Sequence, residues 1–281
     1  MTPEVIDWLL DGDPAIRWQV VRDLVHGSPA DVAAERSRVE REGWVAHLLA
    51  LEGPDGLWDG GACFPASYSG DEPGQPWTAT MHTLQTLQIC GLDPQSDAAR
   101  RAIALIEQNG RWEHAGQRYF DGEVEPCING RTIETGAYFG VDVSAVVDRI
   151  LGERLDDGGW NCEVENGSVR SSFHTTINVL EGLLEFDHAT GGSAEVNVAR
   201  RSGEEYLLER NLFRRKSTGD VTEPLEHPSF DPSTAVVGTP PVARVTLPGP
   251  TASTAPQRVM RRWPPMHVGT TRPTLRRSHA R

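Results

Sequence analysis

Leu155-Asp156-Asp157-Gly158-Gly159-Trp160 repeats a turn phrase met earlier as Gly56-Leu57-Trp58-Asp59-Gly60-Gly61 and, shortened, as Gly110-Arg111-Trp112. The three Trp residues stand 54 and 48 positions apart. Between them the apolar residues recur at helical spacing: Val143, Val146, Val147 and Ile150 make one stripe, and Phe173, Ile177, Leu180 and Leu184 another. No period-two pattern competes with these stripes. Helices repeated at an interval of about 50 residues predict an all-α chain built from one supersecondary unit.

Laying Thr80 on Thr176 places Leu84 on Leu180 and Leu87 on Leu183, so segments 78–91 and 172–185 read as the same helix two units apart. Each unit is then helix, short link, helix and a Gly-rich loop carrying Trp. Such a Trp can bury its ring in the seam between hairpins while its N–H caps a free carbonyl at a helix end. The neighbouring Gly residues let the chain turn beside the ring.

Outward from the repeats, Thr2-Pro3, Asp13-Pro14 and Ser28-Pro29 each put Pro behind a capping residue, which predicts helices near 3–10, 14–25 and 29–42. A fourth is expected from Trp44 to Leu51. The chain therefore divides into N-terminal helices (1–43), repeats (44–219) and a tail (220–281). In that tail, residues 221–281 hold 11 of the 20 prolines, and residues 228–281 hold eight Arg against the single acid Asp231. Helical periodicity and acidic residues stop together there. The expectation is an irregular, disordered segment, either out of frame relative to the ancestral coding sequence or a degenerate end.

The formal net charge is −13, and the first 227 residues alone carry −20. An acidic body of this kind repels nucleic acid phosphates and anionic lipid, which sets nucleic acid aside as a partner. No apolar run approaches the roughly 18 residues of a transmembrane helix, and the start lacks a signal-peptide pattern, so a cytoplasmic location is expected. Four cysteines in 281 residues are too few for a disulfide framework, and reduced thiols are the expectation.

The phrases Pro54-Asp55-Gly56-Leu57-Trp58 and Leu155 to Trp160, with Ser171-Ser172-Phe173-His174-Thr175-Thr176 opening the following helix, resemble the α/α-toroid proteins: squalene-hopene cyclases, other class II terpenoid cyclases and the β subunits of protein prenyltransferases. Within that superfamily the chain looks most like the bacterial squalene cyclase-like, prenyltransferase-repeat proteins, over roughly residues 44–215. The resemblance implies a double ring of helices around an apolar cavity and a cyclase or prenyl-processing activity on an isoprenoid. Closure of such a ring takes five to seven hairpins, and only three or four are visible, so a partial, truncated toroid is expected. The cavity wall would include Tyr138 and Phe139.

The chemistry that the resemblance implies is only half present. Class II cyclases protonate their substrate with an Asp-x-Asp-Asp motif, but here Arg154-Leu155-Asp156-Asp157 has Arg at the first acidic position and lies in a Gly-Trp loop. Prenyltransferase β subunits hold a catalytic zinc through Asp, Cys and His from different repeats. The residues that answer to it here are Cys127, Cys162 and His174, with Cys63 as a further thiol at the same end if successive loops project together. Three such ligands and a water would make an open tetrahedral zinc site. Against this stands the ordinary use of Cys as a small buried residue and of His as a helix-start hydrogen bonder. The alternative to an enzyme is a non-catalytic helical-repeat module that binds a lipid or protein partner.

Overall fold

The computed structural model describes residues 2–69 and 77–221. Among these residues the chain is all-α, with ten α-helices and no β-strand beyond two isolated bridges. The helices are α1 (Pro3–Leu10), α2 (Pro14–Asp23), α3 (Pro29–Arg36), α4 (Gly43–Ala50), α5 (Thr80–Cys90), α6 (Asp97–Asn109), α7 (Pro126–Tyr138), α8 (Ser144–Gly152), α9 (Phe173–Thr190) and α10 (Ala194–Leu208). No helix among them is long and apolar enough to cross a membrane. The tail expected to be irregular lies outside the described residues from position 222 onward.

The three Pro-led starts are where the sequence puts them, and Asp13 and Ser28 cap α2 and α3 through their side chains. Ser28 and Asp31 form a reciprocal capping box. The third helix stops at Arg36 instead of continuing to 42. Residues 38, 39 and 41 instead bond three positions back, and this tighter winding turns Val39 into the core.

The repeat is visible in the hydrogen bonds. Trp58 Nε1 donates to the Leu48 carbonyl at 2.7 Å, and Trp160 Nε1 donates to the Ile150 carbonyl at 2.8 Å, each reaching ten residues back to the end of the preceding helix. The Trp58 backbone N–H donates to Thr80 Oγ1, and that of Trp160 to Thr176 Oγ1, the two threonines that the sequence aligns. Trp112 departs from this pattern. Its Nε1 donates to Tyr119 within its own loop, and its ring stacks on Tyr119 at 4.7 Å. In that unit Asn129 takes the threonine's place, accepting from the Glu123 N–H at 2.6 Å.

The first helices of the three units, α5, α7 and α9, pack in that order, with α8 against α7 and α10 against α9 and α8. The α7–α9 contact is much the most extensive, because Gly130 and Gly182 let the two backbones nearly touch. A Cβ at Gly182 would strike the Gly130 carbonyl oxygen, and one at Gly130 would come within 2.5 Å of the Asn178 oxygen. The N-terminal helices dock on the far ends of α5 and α7. Trp18 Nε1 donates to the Cys90 carbonyl, and Arg36 donates to the Gly91 carbonyl and the Tyr138 hydroxyl.

Gly182→Ala should therefore cost about 3 kcal/mol of stability, since the obstruction is backbone and cannot move aside. Gly152→Ala, where an added Cβ meets nothing within 4 Å, should be close to neutral. Chemical denaturation of the two variants checks the contrast; equal midpoints would contradict the packing account.

Candidate metal-thiolate site

Pro126 starts α7 and makes Cys127 the second residue of the helix, while Cys162 opens a single 3-10 turn just past the Trp160 loop. Because α7 and α9 run side by side in the same direction, this loop folds over the start of α7. The two sulfurs come to 2.8 Å from each other, inside van der Waals contact. The Cys127 thiol also lies 3.4 Å from Glu125 Oε2, and the Cys162 sulfur 3.4 Å from Thr175 Oγ1 in the first turn of α9. Ser172 Oγ donates to Thr175 Oγ1, which leaves the Thr175 proton free to point at the Cys162 sulfur.

The environments of the two thiols differ. Cys127 is pushed well up by its hydrogen bond to Cys162, then by burial and the nearby negative charges of Cys162 and Glu125. Cys162 is pulled down by the Cys127 hydrogen bond, the Thr175 hydroxyl and the Cys127 backbone N–H, against the effect of burial. The two shifts run in opposite directions, so of the two thiols Cys162 is the more readily ionised, its charge stabilised in part by the Cys127 backbone N–H.

Among the described residues, Glu125, Cys127 and Cys162 form the group of metal-binding side chains whose donor atoms all lie within 4.8 Å of one another. Two thiolates and a carboxylate are a zinc donor set. Two sulfurs on one tetrahedral zinc stand about 3.8 Å apart, from bonds of about 2.3 Å. The pair would open by roughly 1 Å and give up its thiol protons on binding, a change within the reach of two Cys side chains. The residues present fit the metal.

Of the residues singled out in the sequence, Cys127 and Cys162 meet and His174 does not join them. His174 is exposed on the first turn of α9 and lies outside the cluster. Cys63 is also outside it: the backbone N–H groups of Ala62, Cys63 and Phe64 wrap the Glu113 carboxylate at 2.8 to 3.2 Å. Tyr138 donates from its hydroxyl to the Leu92 carbonyl at 2.7 Å, and Phe139 is buried with its ring edge-on to Tyr138. Glu125 is the member that sequence reasoning missed, although Glu125-Pro126-Cys127 contains it; a carboxylate two residues before the thiol was the available signal.

A second polar feature runs along α5, α7 and α9 at equivalent positions. Arg131 on α7 pairs with Glu134 at 2.8 Å and with Glu181 of α9 at 2.5 Å, and donates to Asn178 at 2.6 Å. Gln85 of α5 faces the same guanidinium, and with its carboxamide turned so that the oxygen points there, that oxygen accepts from Arg131 Nε at 3.0 Å. His82, one turn earlier, is driven down to about 4 by burial and by the charge of Arg131, so it is neutral at physiological pH. Burial raises Glu181 and Glu185, with Arg131 opposing the shift at Glu181.

Compared with protein-family models, with curated proteins and with solved structures, the chain matches none.

Two outcomes follow for these groups. At pH 7, mass-mapped iodoacetamide labelling should modify Cys162 at least about tenfold faster than Cys127, since the thiolate is the nucleophile; equal rates would contradict this ordering of the two thiols. Glu181 is raised above its ordinary 4.5 in the folded state, so between 4.5 and the raised value unfolding releases protons. Its contribution is then greatest at low pH and is lost as pH rises through the folded value. Urea titrations from pH 4 to 7 should show wild type losing stability relative to Glu181→Gln as pH rises.

Proposed function

We propose that the chain is a prenyltransferase-like metal-thiolate protein in which Glu125, Cys127 and Cys162 hold a zinc ion. The reading is carried by one observation: three zinc-type donors, from two different repeat units, gather beside the adjoining starts of α7 and α9. A zinc held by three such ligands keeps a fourth position for a thiol or water and lowers its pKa. Glu125 is placed to take the Cys127 proton, and Thr175 to hydrogen-bond the Cys162 sulfur and fix its direction.

An isoprenoid is the electrophile that the resemblance supplies. Its apolar chain would lie off the α5–α7–α9 face around Arg131, which is closed by its own ion pairs and carboxamides. The alternative, a non-catalytic repeat module with a lipid or protein partner, draws on α1, which has no buried residue and leaves Val5 and Trp8 exposed.

Equilibrium dialysis of the reduced protein against zinc, followed by metal analysis, separates the two. The expected result is one zinc per chain, with an affinity loss of at least about 100-fold in Cys127→Ser or Cys162→Ser and little change in His174→Ala. A folded, reduced wild type that retains no zinc would remove the metal reading and leave the binding module.

A further inference from the structure

We propose that Cys127 and Cys162 are a reversible dithiol–disulfide site, closed by a small-molecule disulfide and reopened by a thiol. This concerns the same sulfurs as the zinc reading but does not depend on the metal. The argument is geometric. A disulfide needs its sulfurs at about 2.05 Å, and here they already stand 2.8 Å apart with nothing between them. Cys162 sits in a short 3-10 turn rather than in a long helix, so the remaining approach falls on the less rigid partner. Both residues are only partly buried, so a small reagent can reach them.

The other two thiols are placed differently. Cys63 is buried beside the Glu113 nest, and Cys90 lies at the end of α5, where burial pushes its thiol up to about 11. Cys127 and Cys162, by contrast, are in sulfur–sulfur contact.

Cys162, having lost its proton to solvent, attacks as thiolate one sulfur of the reagent RS–SR, whose S–S bond breaks to release RS−, and a mixed disulfide forms on Cys162. Cys127 then loses its proton to the Glu125 carboxylate 3.4 Å away and attacks the Cys162 sulfur. The mixed S–S bond breaks, the second RS− takes up the proton as RSH, and the protein disulfide is complete. The two protein sulfurs are oxidised by two electrons and the reagent disulfide is reduced by two. The new bond ties the start of α7 to the loop before α9 and removes both thiolates from metal binding.

The test uses the full chain, stripped of metal by a chelator and equilibrated in buffers of graded oxidised to reduced glutathione. Maleimide titration and peptide mapping by mass spectrometry read the result. Two of the four thiols should become unreactive, a peptide cross-linked between Cys127 and Cys162 should appear, and dithiothreitol should reverse both changes. Cys127→Ser should stop at a glutathione adduct on Cys162; should that variant fail to fold, the wild-type peptide map decides alone. Four thiols that stay titratable in fully oxidised glutathione, or a wild type that stops at the adduct, would overturn the proposal. A reduced protein that takes no zinc yet forms the bond sinks the metal reading alone, and one that binds zinc and never forms the bond sinks this one alone.

Discussion

The close approach of α7 and α9 through Gly130 and Gly182 is the constraint on which the rest of the molecule depends. Two helices whose backbones touch have little freedom to slide or splay, because Gly130 and Gly182 are opposed by main chain rather than by side chains that can turn away. The register this contact sets carries Arg131 onto Asn178 and Glu181 in the middle of the pair. One turn toward the N-terminus, it brings Cys127 to the incoming Cys162, whose sulfur also meets Thr175. The ion-pair network and the thiol pair are thus two readings of one helix–helix register.

The Trp loops do a different job. Trp58 and Trp160 staple the end of one helix to the start of the next unit, through an indole N–H on a helix-end carbonyl and a backbone N–H on a threonine hydroxyl. They fix where each loop leaves the core, and so deliver Cys162, two residues past Trp160, to the same place as the start of α9. The middle unit shows what the device tolerates. With Trp112 engaged by Tyr119, an Asn on α7 supplies the acceptor that Thr supplies elsewhere.

The polar face of α5, α7 and α9 bears on the functional reading as much as the thiols do. The resemblance to toroid proteins implies an apolar wall, yet His82 and Gln85, Arg131 and Glu134, and Asn178 and Glu181 recur in register on three successive helices. Burying Arg131 among carboxylates is tolerable only because each charge has a partner and the guanidinium is bonded on several sides. Such an arrangement fills the length of the three helices with paired polar groups and leaves the two thiols at the start of α7 and the loop before α9.

The sequence by itself determined the helical class, the period of the repeat, the Pro-led starts and the equivalence of Thr80 with Thr176. All of these are local patterns: a cap, a stripe or a turn phrase is legible because its partners lie within a few residues or recur at a fixed interval. It also pointed to Cys127 and Cys162, but it grouped His174 with them and passed over Glu125. Only the tertiary structure decided those memberships. The start of a helix exposes some side chains to the seam and others to solvent, and which is which follows from helix rotation and register. Here the glycine contact between α7 and α9 sets that rotation, turning Thr175 inward to Cys162 and leaving His174 outside.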